Sequence, residues 1–459
     1  MRTRSCVSYS FIEMFILKRF QLGPLFSSKS LVTYLDQFIV GQSEAKKSLA
    51  IAMVDRNRRM QISDPEMRKA IVPSNILLLG PTGCGKTEVA RRLAKHVDAP
   101  FVKVVATKYS EVGFVGEDTS SMIEELAEQA FADEVRKMNL QVETEAMRIA
   151  VDEVAQIVWL KRQATDDPVT VDEVKAMVAS GLVDSEEIEI PGTDVAEKEE
   201  MVFTGKTILS PRTIRMSKSR PSRLSTVGQA LRTVTERASA VLSRTREPDL
   251  KERARKSVEE RGIVFIDEFD KMISDASEEG SSFNQKRKGV EKELLTLVEG
   301  TSITTKKLGP INTDHIVFIC AGAFSSVSPK QIMPELQGRL PIRCTMKGLT
   351  EDDLVSILNT IEFSLPRTQK ELLAVDGIHL EFTPCGIREV AKCAVYMNKE
   401  LVNTGARRLT TVMGIVLEEI KFAADELMGE TVLIDSQFVR ERLDIDTLGK
   451  PEDLRKYVL

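Results

Sequence analysis

The residues best suited to chemistry form the run Gly80-Pro81-Thr82-Gly83-Cys84-Gly85-Lys86-Thr87. This run matches the phosphate-loop pattern G-x-x-x-x-G-K-[ST] at every fixed position. Its glycines let backbone N–H groups wrap a phosphate without Cβ clashes, and a following helix N-terminus adds partial positive charge. Lys86 can then reach the β- and γ-phosphates, and the Thr87 hydroxyl can bind Mg²⁺. The run therefore predicts a nucleoside triphosphate site.

Two adjacent carboxylates form the second candidate. Asp267 and Glu268 follow an apolar run, residues 263–266, that predicts a buried strand. Because open α/β sheets place ligands at the C-terminal ends of their strands, both side chains should face the nucleotide. Asp267 is predicted to hold Mg²⁺, directly or through water, and Glu268 to orient and polarise the attacking water. A solvated turn is the alternative, and the phosphate loop in the same chain disfavours it.

The elements that must position these motifs can be read from the apolar pattern. Residues 75–79 predict a buried parallel strand, and residues 87–96 carry apolar side chains at helical spacing. Residues 101–105 and 315–320 predict two more strands, and residues 343–346 predict an edge strand. Beyond residue 349 the pattern is helical to the end of the chain. The predicted fold class is α/β, with a parallel-sheet core around a phosphate loop.

Residues 118–255 differ in composition from the rest of the chain. They lie between the phosphate loop and the acidic pair, and the segment is too long to be a plain loop. They predict an inserted helical domain. Within it, residues 181–221 are poor in large apolar side chains and carry an acidic block followed by a basic one. This composition predicts a mobile or disordered stretch. No aromatic residues interleave the basic block, which disfavours nucleic-acid binding there.

Composition limits the class of protein. The 459 residues, 42% apolar and 29% charged, predict a foldable chain of two or three domains. A net charge of -5 gives no overall attraction for nucleic acid or anionic membranes. The six cysteines form no C-x-x-C pair and the three histidines lack metal-ligand spacing, which disfavours a zinc site. No uninterrupted apolar run is long enough to cross a bilayer. Residues 1–30 are rich in arginine and serine and contain one acid, which predicts a mitochondrial targeting segment; an ordinary extension is the alternative.

From about residue 31 to residue 459, the sequence resembles the AAA+ ATPases and, among them, the HslU (ClpY) unfoldase family. The resemblance is carried by GPTGCGKTE, the loop 111–117, GIVFIDEFDK, PELQGRLPIR, TGARRL and the final EDLRKYVL. It implies a AAA+ domain (31–117 and 256–349), an inserted helical domain (118–255) and a small α-rich C-terminal domain (350–459). It also implies a homohexamer in the mitochondrial matrix. This ring would use ATP and Mg²⁺ to unfold proteins and feed them to the HslV threonine peptidase.

The resemblance assigns roles to individual residues. Lys86, Glu268 and Arg339 would be catalytic, Arg339 as an arginine finger that reaches a neighbouring subunit, with Glu335 close to that interface. Arg407 would be the second sensor, and Val40 would line the adenine pocket. The remaining nucleotide and Mg²⁺ contacts implied are Gly83, Cys84, Gly85, Lys86, Thr87, Glu88 and Asp267. Ala321 stands where a polar first-sensor residue is expected, which leaves the identity of that sensor open.

Two further segments would act outside the nucleotide site. Phe114 and Val115 would form the pore loop that grips the substrate polypeptide. The family usually has tyrosine where Phe114 stands, so the ring remains but the hydroxyl is lost. The C-terminal tail would insert between HslV subunits, through the residues Leu454, Tyr457, Val458 and Leu459.

Other functions fit part of the pattern. A ClpX-like unfoldase that serves a serine peptidase would share the motor, but that family usually begins with a four-cysteine zinc domain and lacks the large insertion. A DNA-acting AAA+ motor is disfavoured by the net charge and the absence of basic–aromatic interleaving. A catalytically silent ring scaffold is disfavoured because the lysine, the acidic pair and both arginines are all present.

Overall fold

The computed structural model describes residues 27–110, 118–163, 169–190, 223–273 and 282–443. The chain divides into two compact units. The first comprises Met1–Phe131 and Ala254–Leu459, and the second comprises Ala132–Arg253. Residues 350–443 group with the first unit, although they enclose a hydrophobic core of their own.

The described strands are, in chain order, β1 (Ile76–Leu79), β2 (Phe101–Val105), β3 (Glu187–Ile190), β4 (Arg223–Thr226), β5 (Ile263–Asp267), β6 (Ser302–Thr305), β7 (Gly309–Asn312), β8 (Val317–Gly322), β9 (Ile342–Thr345), β10 (His379–Phe382) and β11 (Thr431–Ile434).

The described helices are α1 (Ser28–Asp36), α2 (Ser43–Met60), α3 (Pro65–Ala70), α4 (Lys86–His96), α5 (Thr107–Ser110), α6 (Ser121–Gln163), α7 (Val171–Ala179), α8 (Val227–Arg261), α9 (Ser282–Glu299), α10 (Pro334–Arg339), α11 (Glu351–Thr360), α12 (Leu365–Ala374), α13 (Pro384–Glu400), α14 (Arg407–Phe422) and α15 (Ser436–Leu443).

A five-stranded parallel sheet with the order β2-β5-β8-β1-β9 forms the centre of the first unit. All five predicted strands are present, and β9 lies at an edge as predicted. Alternate residues point to opposite faces, so Leu77 and Val264 join one core while Leu78 and Phe265 join the other. Because both faces are covered, the three inner strands β5, β8 and β1 read as near-continuous apolar runs. This is the predicted α/β fold.

Helices cover both faces. Leu35 of α1, Leu49 of α2 and Leu93 of α4 pack on one face of the sheet, and Leu126 of α6 and Leu294 of α9 pack on the other. All five are fully buried. Each such leucine stabilises the fold by about 1.5–3 kcal/mol relative to an exposed position. These helices fix the strand ends from which the site residues project.

The C-terminal part of the first unit consists of α11–α15 and a short parallel pair, β10 with β11. The expectation that this part is helical throughout is therefore wrong at residues 379–382 and 431–434. Each of these strands has only four residues and lies between helices, so the helical periodicity of its neighbours dominates the pattern. Thr350 caps α11 and Thr383 caps α13 through side-chain hydrogen bonds, which sets where these helices begin.

The second unit contains α7 and the larger parts of α6 and α8, together with the antiparallel pair β3–β4. It is shorter than the predicted insertion, 118–255, because the first residues of α6, among them Met122 and Ala130, pack in the sheet core. Residues 187–190 form β3, so this part of the predicted mobile stretch is a strand. Residues 191–221 lie outside the described ranges. In the described part of the chain, no helix combines the length and apolar character needed to span a bilayer.

Candidate active site

The phosphate loop connects β1 to α4. Gly85 has a φ of 100°, a left-handed conformation that favours glycine, and it directly precedes the helix. The Lys86 ammonium group is buried beneath the loop, where it donates hydrogen bonds to the carbonyl oxygens of Gly80 (2.6 Å) and Pro81 (2.8 Å). The loop therefore encloses the ammonium group of Lys86. The N-terminus of α4, which begins at Lys86, lies next to the loop.

Thr87 meets the acidic pair at the C-terminal end of β5. Its hydroxyl donates a hydrogen bond to Oδ2 of Asp267 over 3.2 Å. A hydroxyl and a carboxylate oxygen held together in this way are the oxygen ligands that Mg²⁺ prefers in phosphate sites. The two side chains therefore fit the predicted metal, which when bound neutralises charge on the β- and γ-phosphate oxygens. Among the described residues, no group of three or more His, Cys, Asp or Glu side chains could hold a metal ion.

Lys103 is a site residue that sequence reasoning missed. Its ammonium group lies 2.9 Å from Oδ2 of Asp267, the same oxygen that Thr87 contacts. The signal in the sequence is a single charge within the apolar strand FVKVV. On the parallel partner strand β2, Val105 pairs with Asp267, and Lys103 lies two residues before Val105, so its side chain is on the same face of the sheet as Asp267. Lys103 therefore balances the charge of Asp267 and holds it in place.

Glu268 follows Asp267 in a left-handed conformation, with a φ of 55°. A non-glycine residue in this region carries about 1–3 kcal/mol of strain, and such residues cluster at functional sites. The Glu268 backbone N–H donates to Oδ1 of Asp267 over 3.1 Å, and the Glu268 side chain is exposed. The turn thus leaves the Glu268 carboxylate accessible at the end of β5, directly after Asp267.

Two other loop residues have defined surroundings. The Glu88 carboxylate accepts hydrogen bonds from Arg92 Nε (2.6 Å) and Arg91 Nη1 (3.3 Å) on its own helix. Glu88 is the third residue of α4, and the first backbone N–H groups of a helix have no intrahelical acceptor, so its N–H rather than its carboxylate suits a phosphate. The Cys84 side chain is buried, and burial raises the pKa of its thiol. Cys84 is thus a neutral packing group.

Val40 lies in the loop between α1 and α2, and it is half-buried. The buried Lys46 fixes this loop by donating to Oδ1 of Asp36 (2.6 Å) and to the carbonyl of Ile39 (2.5 Å). Gln42 joins the loop to the segment after β9. Its side-chain amide donates to the Lys347 carbonyl over 2.8 Å and accepts from the Lys347 N–H over 2.9 Å. Val40 is therefore held between two anchored residues.

The C-terminal helices reach the phosphate loop directly. The Ala406 N–H donates to the Gly83 carbonyl over 3.1 Å. A cavity of about 170 Å³ lies beside this contact, with walls that include Thr82, Leu349 and Val395. It is bounded by the phosphate loop, by the segment after β9 and by α13. Val40 does not line this cavity, so the cavity does not coincide with the predicted adenine pocket; Asn398 and Asn403 are among its other lining residues.

Arg407 and Arg408 are adjacent in sequence but have different surroundings. Arg407 begins α14 and is exposed. Arg408 is buried and donates to the Asn398 side chain (3.4 Å) and to the Val402 carbonyl (2.8 Å). Of the two, only Arg407 is accessible to a ligand, as the predicted sensor must be.

The predicted interface residues, Arg339 and Glu335, lie on α10, and both are exposed. The Arg339 guanidinium group lies 3.1 Å from a carboxylate oxygen of Glu299. The backbone carbonyl of Arg339 accepts a hydrogen bond of 3.2 Å from the side chain of Asn75, the residue before β1. An exposed arginine is the arrangement that a role toward a second subunit requires; such a role stays a prediction.

Other predictions fall on buried or undescribed residues. Ala321 is fully buried in β8 opposite Leu78, and its methyl group offers no hydrogen bond to a phosphate. The pore residues Phe114 and Val115 lie outside the described residues, as do the tail residues Leu454, Tyr457, Val458 and Leu459. Their roles stay predictions.

Two protein-family models match the chain. The ATPase family associated with various cellular activities (AAA) matches residues 76–186, and the AAA domain of the Cdc48 subfamily matches residues 199–343. The first match includes the phosphate loop, and the second includes the acidic pair and Arg339. Together with the parallel sheet and the contact between Thr87 and Asp267, these matches show that the chain contains AAA+ ATPase domains on the α/β AAA+ fold.

Proposed function

We propose that the chain is an ATP-dependent protein unfoldase and translocase of the HslU type. AAA+ domains belong to ATP-driven motors and unfoldases, and the hydrolysis part of the proposal is supported by one observation above all. Lys86, Thr87, Lys103 and Asp267 converge at the C-terminal edge of one parallel sheet. The unfoldase part is supported by the sequence motifs shared with the HslU family.

The residues would divide the chemistry as follows. Lys86 and the N-terminal N–H groups of α4 would hold the phosphates, and Thr87 with Asp267 would hold Mg²⁺. Glu268 would orient a water molecule and accept its proton as the water oxygen bonds to the γ-phosphorus, and the bond between that phosphorus and the β–γ bridging oxygen would break to give ADP and inorganic phosphate. Arg339 of a neighbouring copy and Arg407 stabilise the negative charge that develops on the phosphates. Positioning and charge neutralisation are the main sources of catalysis in such reactions.

The assembly is proposed on the same basis. Six copies would form a ring in the mitochondrial matrix, with Phe114 and Val115 contacting an unfolded or tagged protein in the central pore. The tail, with Leu454, Tyr457, Val458 and Leu459, would bind the HslV threonine peptidase when ATP is present. An apolar tail that ends in a carboxylate is chemically suited to a groove between two subunits.

The deciding experiment mixes the purified chain with HslV from its own organism and follows cleavage of a small fluorogenic peptide with and without ATP. We expect strong ATP-dependent stimulation. Deletion of residues 454–459 should abolish the stimulation and leave basal ATP hydrolysis nearly unchanged. Hydrolysis without any stimulation would refute the HslV partnership and favour a stand-alone unfoldase or a DNA motor, and DNA would then be tested as the next ligand.

A further inference from the structure

A hydrogen-bonded turn, residues 402–406, precedes Arg407. The Asn398 side-chain amide spans this turn: its Oδ1 accepts the Thr404 N–H (3.1 Å), and its Nδ2 donates to the Gly405 carbonyl (3.1 Å). The buried Arg408 completes the arrangement by donating to both Asn398 and the Val402 carbonyl. One side chain from α13 therefore fixes both sides of the turn.

The backbone of this turn packs directly against the backbone of the phosphate loop at Thr82 and Gly83. A Cβ atom on Gly83 would lie 2.0 Å from the Thr404 carbonyl oxygen, and one on Gly405 would lie 2.6 Å from the Thr82 carbonyl oxygen. Both glycines also have a positive φ, +74° for Gly83 and +59° for Gly405. The hydrogen bond from Ala406 to Gly83 closes the contact. The position of Arg407, the next residue, depends on this contact.

We propose that Asn398 is a positioning residue of the nucleotide site: its amide holds the turn 402–406 on the phosphate loop and thereby places Arg407. This inference rests on the proposed role of Arg407 toward the phosphates. Asn398 itself need not touch the nucleotide. Its effect on hydrolysis passes through the turn, so it should vanish when the Arg407 side chain is absent.

A double-mutant cycle on the full-length chain tests this dependence. Asn398→Ala and Arg407→Ala are made singly and together, and kcat and KM for ATP are measured for each. We expect Asn398→Ala to lower kcat by about 10- to 100-fold, the scale on which a displacement of about 1 Å acts. In the Arg407→Ala background the same change should alter kcat by less than about 2-fold, because coupled residues are non-additive. The proposal would be overturned if the fall in kcat of the double variant equalled the product of the falls in the two single variants.

Two further variants separate positioning from folding. Asn398→Asp keeps the acceptor for the Thr404 N–H but replaces the donor to the Gly405 carbonyl with a carboxylate oxygen that repels it, so we expect kcat to fall in this variant as well. Unfolding curves for this variant show whether the domain remains intact. Asn359→Ala removes an exposed asparagine from α11 and should leave kcat unchanged. Wild-type kcat in both Asn398→Ala and Asn398→Asp would refute the proposal.

Hydrogen exchange provides a readout that does not require hydrolysis. In Asn398→Ala, the peptide that contains Ala406 should exchange faster than in the wild type, because its N–H loses a fixed acceptor at Gly83. Unchanged exchange there would overturn the proposed positioning even in a chain without ATPase activity. Failure of the wild type to hydrolyse ATP would instead count against the proposed function.

Discussion

At the scale of single residues, the strained turn at Glu268 offers the sharpest test of the chemistry. Glu268→Gln keeps the size and the left-handed backbone but removes the base. We expect ATP to bind with unchanged affinity and hydrolysis to fall by about 10²- to 10⁴-fold, the usual contribution of a positioned acid–base group. Steady-state turnover and the affinity for a fluorescent ATP analogue are the measurements.

The matched control for this variant is Glu66→Gln, because Glu66 lies exposed on α3, where it makes a long ion pair of 3.9 Å with Lys69. It removes the same charge from the same unit, so turnover should stay at the wild-type level. Normal turnover in Glu268→Gln would rule out Glu268 as the residue that activates water.

Some residues of this site could be predicted from the sequence, and others could not. Lys86, Thr87 and Asp267 belong to motifs whose spacing is local, so each could be assigned from the residues around it. Lys103 could not, because its pairing with Asp267 depends on the register between β2 and β5. Arg407 and Arg408 are identical in type and adjacent, so only the fold separates the exposed arginine from the buried one.

At the scale of elements, Gly83 tests whether the loop must meet the turn 402–406. Gly83→Ala would drive a methyl group into the Thr404 carbonyl and impose a φ that alanine disfavours. We expect it to cost about 1–3 kcal/mol of stability and to lower ATP turnover strongly. Unfolding curves and steady-state ATPase assays on the full-length chain measure the two effects.

Gly414→Ala is the control for that substitution. Gly414 lies within α14, and a Cβ there would have no heavy atom within 4 Å. Because alanine favours the helix, this variant should gain up to about 1 kcal/mol of stability with turnover unchanged. If Gly83→Ala behaved in the same way as Gly414→Ala, the close approach of loop and turn would not exist in solution.

The elements themselves could be predicted where apolar periodicity is strong. The three inner strands of the sheet follow from near-continuous apolar runs, the two edge strands from apolar runs interrupted by one basic residue each, and α4 from helical spacing beside the phosphate loop. The pair β10–β11 could not be predicted, since each strand is four residues long and gains its stability from a partner about fifty positions away in sequence. Long-range contacts of this kind leave little trace in a local pattern.

At the scale of the whole molecule, His315 predicts how stability depends on pH. Burial and the nearby positive charge of Arg59 lower the pKa of His315 below the usual value of about 6.5. Below pH 6.5 the unfolded chain therefore binds a proton that the folded chain does not yet bind, so stability falls as the pH drops. Above about pH 7 the group contributes no pH dependence.

Urea unfolding at pH 7.5, 6.5 and 5.5 measures this trend. In His315→Gln the loss of stability between pH 7.5 and pH 5.5 should be smaller than in the wild type, because the titrating group is gone. An equal loss in both proteins would assign the acid sensitivity to other residues.

The junction between the phosphate loop and the turn 402–406 also bears on how fast the protein can move. Its two sides meet through peptide groups, and residues 350–443 keep their own hydrophobic core. Separating them exposes N–H and C=O groups that water can solvate, so no apolar core has to be broken and repacked. Motions of this kind take microseconds to milliseconds, faster than most enzymes turn over. If the C-terminal helices move relative to the phosphate loop, this junction is where they can part without breaking either hydrophobic core.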